Sequence, residues 1–243
     1  MKLLIDAGNS RLKWATWDGV GLSAIGVAEN VERDLAALWA EDVAPDAVWI
    51  ASVAGAPANA ALAGAVRQRW GLEPGFAMTR AQVCGLRVAY ARPQDLGVDR
   101  FLGMLAVHVR AHAAAVVASC GTALTLDAID ASGTHLGGLI AASPGLAAAA
   151  LRGATARLGA AAVGSVTEFA DNTADALQSG TWLAAVALVE RFHANVAAKL
   201  ALQPKLVLSG GGATSLSSLL TVPHQLDPGL VLRGLAIFAD NGG

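Results

Sequence analysis

Two stretches of this chain share one order: an apolar run, a tight turn built on glycine, and a second strand-like run. In the first, Leu3-Leu4-Ile5 leads into Asp6-Ala7-Gly8-Asn9-Ser10 and on to residues 12–17. In the second, Ala114-Ala115-Val116-Val117 leads into Ser119-Cys120-Gly121-Thr122 and on to residues 123–129. Short apolar runs bounded by turn residues read as strands. A glycine at such a turn lets backbone N–H groups approach phosphate oxygens with no Cβ in the way. One copy near the start of each half therefore predicts two similar half-domains facing one nucleotide. The copies differ chemically: the first carries the carboxylate of Asp6, the second has Ser119 in its place.

Composition sets the frame for this reading. The chain has 243 residues, 54% of them hydrophobic and 15% charged, enough apolar material for one or two packed cores. The formal net charge of −2 gives no basic surface for nucleic acid. Two cysteines, Cys84 and Cys120, make neither a disulfide framework nor a metal-ligand spacing, and fit a reducing, cytoplasmic setting. The apolar run after Met1-Lys2 is too short for a secretory h-region. Residues 47–66 are uncharged and about long enough to span a bilayer. Ser52, Gly55, Pro57, Asn59 and Gly64 interrupt them, so a strand, a turn and a helix are expected, with no membrane partner.

Along the first half, residues 2–5 and 12–17 are expected to pair antiparallel across Gly8-Asn9. Val31, Leu35, Leu38 and Trp39 make a helical stripe, and 47–53 a buried strand. Pro57 suits the first turn of a helix running to Trp70, with Leu62, Val66 and Trp70 inward. A short strand is expected at 86–90 and a helix at 99–110 with Leu102, Leu105 and Val109 inward. In the second half, 114–118, 123–129 and 135–140 predict a meander, followed by an Ala-rich helix over 144–158. A long helix over 173–200 has the stripe Thr181, Ala184, Leu188, Phe192 and Val196. Trp182, Val186 and Val189 are apolar too, so this helix is expected to be central or to lie at a subunit interface. A last strand, 205–208, enters Ser209-Gly210-Gly211-Gly212.

Four segments carry chemistry. In the first turn, Asp6 can hold the hydration shell of a magnesium ion, and Lys13 on the next strand can neutralise developing phosphate charge; the same residues also make an ordinary hairpin with an exposed Lys. In the second, Thr122 offers a hydroxyl and an N–H. Ser209-Gly210-Gly211-Gly212 can lie flat against an adenine, or simply turn a strand into a helix. Gly97-Val98-Asp99-Arg100 precedes a helix, where Asp99 is either a cap or a base and Arg100 either a solvated charge or an anion ligand.

In this order and spacing, the two phosphate turns and the Gly-rich third segment resemble the acetate kinase, sugar kinase, Hsp70 and actin superfamily. With Gly97-Val98-Asp99-Arg100 between the turns, the chain is similar to type III pantothenate kinases. The likeness runs through Tyr90, Gly121-Thr122-Ala123-Leu124-Thr125, Gly137-Gly138 and Asn172-Thr173. It implies an α/β chain of two RNase H-like half-domains, each a mixed sheet with flanking helices, over 1–106 and 107–243, with the nucleotide in the cleft between them. It also implies ATP-dependent phosphorylation of pantothenate to 4'-phosphopantothenate, the first step of coenzyme A synthesis.

Carried over residue by residue, the resemblance assigns Asp6, Ala7, Gly8, Asn9, Ser10, Arg11, Leu12, Lys13 and Thr122 to Mg-ATP, with Asp6 reaching magnesium through water. Tyr90, Gly97, Val98, Asp99 and Arg100 would contact pantothenate, Asp99 as general base and Arg100 facing the carboxylate. Thr173 would reach pantothenate across a homodimer interface. Such kinases have an Asp where this chain has Ser119, associated with bound potassium or ammonium, so the implied monovalent-cation site lacks its charge here. The same resemblance also admits a catalytically weak or inactive regulator, a transcription accessory factor.

Overall fold

In the computed structural model, residues 1–29, 44–155 and 164–241 are described. The expected helix at 31–39 and the last residues of the one expected over 144–158 lie outside them. The chain divides into two compact units. One holds Met1–His112, Ala131–His135 and the C-terminal stretch from Gly229; the other holds Ala113–Asp130 and Leu136–Pro228. The division thus falls just after the helix predicted at 99–110. The C-terminal stretch joins the first unit, whereas the resemblance placed everything from 107 onward in one half.

In the first unit, β1 (Lys2–Ala7) and β2 (Arg11–Trp17) pair antiparallel with Asp6 opposite Lys13. The strands β3 (Gly26–Glu29), β4 (Ala47–Ser52) and β5 (Gly75–Phe76) complete a sheet of order β3-β2-β1-β4-β5, in which β1 and β4 run parallel. Helix α1 (Ala56–Trp70) starts with Pro57 in its first turn and ends where Gly71 adopts a left-handed conformation. It buries Leu62 and Val66 against Leu3, Ile5, Leu12 and Ile50, and Trp70 packs at the edge of that cluster. This is the inward face expected from sequence.

Strand alternation puts Lys2, Leu4 and Asp6 on the opposite face. There α2 (Val98–Ala111) and α6 (Leu230–Asp240) pack together and against the sheet. Their crossing is close at Gly234, where a Cβ would stand 2.0 Å from the Leu102 carbonyl oxygen. Phe238 meets Phe101 and Trp49 edge-on. Ahead of α2 lies a hairpin of β6 (Gln82–Val83) and β7 (Leu86–Arg87). The strand expected over 86–90 is therefore cut to two residues, and Tyr90 sits in irregular backbone.

The second unit repeats the topology. Strands β8 (Ala115–Cys120), β9 (Ala123–Ile129), β10 (His135–Ala142), β11 (Lys205–Ser209) and β12 (Gln225–Leu226) form a sheet of order β10-β9-β8-β11-β12. Helix α3 (Pro144–Ala154) precedes the long α4 (Thr173–Leu200), and α5 (Ala213–Ser217) follows β11. The face of α4 turned to the sheet is Leu177, Thr181, Ala185, Val189, His193 and Val196. The expected stripe was set one position off in its middle: Ala184 is exposed, while Leu188 and Phe192 are partly buried at the core's edge. With Ala and Val on most sides, α4 has too little contrast for sequence to fix its rotation.

Candidate active site

The pairing of β1 with β2 sets Asp6 and Lys13 side by side at the end of the hairpin. The turn beyond them is closed by the Gly8 N–H donating to the Arg11 carbonyl at 3.0 Å. A Cβ on Gly8 would lie 3.2 Å from that same oxygen, so the turn is tight. Asn9 is not in the left-handed region, which removes the simplest hairpin explanation for an Asn at this point.

Asp6 faces the side of the sheet where α2 packs, and α2 carries Asp99 in its first turn. Burial raises the Asp6 pKa to about 7, the nearby Lys13 charge pulls against that rise, and the charge of Asp99 adds to it. Two carboxylates and one ammonium thus share a partly dehydrated corner of a single unit. Asp99 does not cap the helix: Gly97 occupies the cap position and no side chain caps it. Gly97 has ordinary backbone angles, but a Cβ there would stand 2.7 Å from Asp99 Oδ1. The glycine makes room for the carboxylate.

Arg100 is not a solvated charge, being only 7% exposed. Its Nη1 donates to the Tyr90 hydroxyl at 3.3 Å, and its guanidinium lies 6.0 Å from the Tyr90 ring centre. The first unit therefore gathers Asp6, Lys13, Tyr90, Gly97, Asp99 and Arg100. Ser10 and Arg11 are exposed on the turn itself.

The second unit holds the remaining expected residues. Ser119 is the topological counterpart of Asp6: it pairs with Thr125 of β9 and Ser209 of β11, where Asp6 pairs with Lys13 and Ala51. Asp127 pairs with Val117, two pairs back on the same ladder, so it shares the face of Ser119 and is buried. Thr122 is exposed, and its carbonyl accepts a hydrogen bond from Ser143 at 2.9 Å. Gly210 has φ +89°, and a Cβ there would meet the Cys120 carbonyl oxygen at 2.4 Å; one on Gly212 would meet Cys120 Sγ at 2.7 Å. Two of the three glycines after β11 are thus required for packing against the second turn, whatever they also do for a ligand. Thr173 opens α4 and is exposed, after the cap Asn172.

Two residues of this scaffold escaped the motif reading. Ser143 caps α3 while holding the Thr122 carbonyl; a Ser before Pro144 was a readable cap signal. His135, buried against Tyr90, carried no pattern that pointed to it. A separate cavity of about 650 Å³ runs along the C-terminal half of α4. Glu190 there is held by Thr221 and His193 by the Pro204 carbonyl, and none of the expected site residues lines it.

Two sheets of the same strand order, each with a glycine turn on its central hairpin, define the fold shared by actin-like ATPases and sugar kinases. The chain aligns with MreB 5 of Spiroplasma citri at a TM-score of 0.54 and 11% identity, covering 98% of this chain and 96% of that one. A Campylobacter jejuni structure, whose name places it in the Baf family of transcriptional activators, aligns at a TM-score of 0.63 and 20% identity over 98% of both chains. The family model for type III pantothenate kinase matches residues 2–195. A type III pantothenate kinase of Nitrosococcus oceani is 36% identical over 97% of this chain and 92% of its own. The chain belongs to the type III pantothenate kinase family and is a kinase.

Proposed function

We propose that the chain transfers the γ-phosphoryl group of ATP to the primary hydroxyl of pantothenate, opening coenzyme A synthesis, with Asp99 as the base. One observation carries the assignment of roles: Asp99 sits in the first turn of α2 without capping it, next to Arg100, which is only 7% exposed and bonded to the Tyr90 hydroxyl. Phosphoryl transfer depends chiefly on positioning and on stabilising charge. Arg100 and Tyr90 hold the substrate carboxylate, and Gly97 and Val98 line its path. Asp99 accepts the hydroxyl proton as the oxygen attacks. Lys13 faces the charge that develops on the transferred group, while the backbone of residues 6–13 holds ATP.

The residues suit a magnesium ion held largely by phosphate and water. Asp6 offers a carboxylate, and this ion is commonly bound through one or two carboxylates together with phosphate and water. Magnesium, when bound with ATP, supplies neutralisation of phosphate charge. Around Ser119, Thr125 and Ser209 offer further hydroxyl oxygens on the same face, so potassium or ammonium there would be held by neutral oxygens and weakly.

A homodimer completes the reading. Leu139 and Ile140 on β10 and Leu146 and Leu151 on α3 are exposed apolar side chains of the unit that carries Thr173, which supports a second copy covering them. Free Cys84 and Cys120 suit a cytoplasmic, reducing compartment; no described helix is long and apolar enough to cross a membrane. Measuring ATP turnover with and without pantothenate tests the proposal. Pantothenate-dependent ADP release is expected. ATP binding with no such release would favour the regulatory reading instead.

A further inference from the structure

We propose that His135 is a positioning residue for the pantothenate pocket: it sets the Tyr90 ring, and through it Arg100, in the orientation that takes the substrate's carboxylate. The inference rests on the reading of Tyr90 and Arg100 as substrate contacts and adds what fixes them. Tyr90 lies in a stretch without helix or strand, so no backbone ladder dictates where its ring points. His135 does. It is 2% exposed, and its ring stacks on Tyr90 with centroids 6.0 Å apart and planes 14° from parallel. Its Nδ1 also accepts from the N–H of Ala89, the residue before Tyr90, at 3.4 Å.

His135 is itself anchored. The Arg87 N–H donates to the Gly133 carbonyl at 2.8 Å. The Arg87 guanidinium reaches Ser132 Oγ at 3.1 Å and Thr134 Oγ1 at 2.7 Å. Gly133, at φ +84°, can only be glycine, since a Cβ would stand 2.6 Å from both the Gly85 carbonyl oxygen and His108 Cε1. The β6–β7 hairpin and the turn before β10 are therefore tied into one body. His135 emerges from that body to meet Tyr90, whose hydroxyl accepts from Arg100.

Steady-state kinetics on the full chain test this. An aromatic pair contributes enough to move a binding constant about three- to tenfold. His135→Ala is expected to raise KM for pantothenate by about that factor, with kcat and KM for ATP within about twofold of wild type. His135→Phe, which keeps a stacked ring, is expected to restore most of the loss. In a Tyr90→Ala background, His135→Ala should add nothing. If Arg100→Ala raises KM for pantothenate and His135→Ala does not, the role of His135 is overturned while the pocket stands. If neither Arg100→Ala nor Tyr90→Ala raises it, the pocket reading fails and takes this inference with it. Parallel losses in kcat and both KM values, unrescued by His135→Phe, would assign His135 to folding and overturn its positioning role.

Discussion

The two glycine turns close equivalent hairpins by opposite means. Asp6 and Lys13 stand at the penultimate pair of one hairpin, Ser119 and Thr125 at the penultimate pair of the other. The first turn has four residues between Ala7 and its partner Leu12, the second three between Cys120 and Leu124. The first concentrates charge: a carboxylate raised to about pH 7 by burial, against which Lys13 works and Asp99 does not. The second concentrates fit: Gly210 and Gly212 pressed on Cys120, and Ser143 gripping the Thr122 carbonyl. Duplicated topology supplies two places to present backbone amides, and only the first has charged side chains at its penultimate pair. If that division is correct, substitutions in the first unit should damage turnover and substitutions at the second turn should damage the scaffold.

The largest effect is expected from Asp99→Asn. A positioned general base typically contributes about 10²–10⁴-fold, so kcat should fall by that much. The thermal midpoint should stay near that of the parent, because Asp99 is not the α2 cap. Wild-type turnover in this variant would remove Asp99 from the mechanism and leave the first unit without a base.

Next comes a matched pair of alanines. Gly210→Ala combines a positive φ with a 2.4 Å clash against backbone, and strain plus overpacking should cost about 2–4 kcal/mol. In a protein of this size each kcal/mol lowers Tm by about 2–4 °C. Gly8→Ala meets only a 3.2 Å contact at an ordinary φ, so it should cost less stability and show itself in KM for ATP. Calorimetry on both variants reads the difference. Equal melting points would mean that the second turn is no more tightly packed than the first.

How much of this was legible beforehand follows the range of the interaction. The Asp6–Lys13 pairing was readable because one short turn and strand alternation fix it locally, and α1 because Pro57 and Gly71 punctuate it. The return of α6 to the first sheet was not readable. Lys2 Nζ reaches the Ala239 carbonyl and the Asp240 carboxylate, a contact across almost the whole chain that no local pattern encodes. The glycines after β11 looked like a ligand surface because sequence shows the absence of a side chain but not the neighbour that requires it. Only folding brings Cys120 against them. His135 is a single histidine among glycines, and its partner Tyr90 is 45 positions away.

Asp6 gives a pH signature that the second turn cannot give. Its folded pKa of about 7 lies above the ordinary 3.8, so between those values the folded state keeps a proton that the unfolded chain has released. That contribution to stability is complete below about pH 4 and is lost as pH rises through about 7. A shift of about three units would correspond to about 4 kcal/mol; Asp6 keeps some exposed surface, and water there should reduce this to about 1–2 kcal/mol. Asp6→Asn should therefore melt progressively higher than the parent as pH is raised from 4 to 7, the gap then levelling off, even as activity falls. A gap that narrows over that range would show that Asp6 is not held in a dehydrated corner.

The smallest expected effect is the one that most directly probes the asymmetry. Ser119→Asp restores a carboxylate at the position equivalent to Asp6, on a face lined by Thr125, Ser209 and the buried Asp127. A partly exposed ion pair contributes about 0.3–1 kcal/mol, so potassium should stimulate this variant about two- to fivefold relative to a bulky organic cation at matched ionic strength. The parent should respond to the exchange by less than that. Strong potassium dependence in the parent would mean that neutral oxygens, with Asp127 behind them, suffice for the ion. The second turn would then take part in charge compensation after all, with its charge set two pairs deeper on the ladder than in the first.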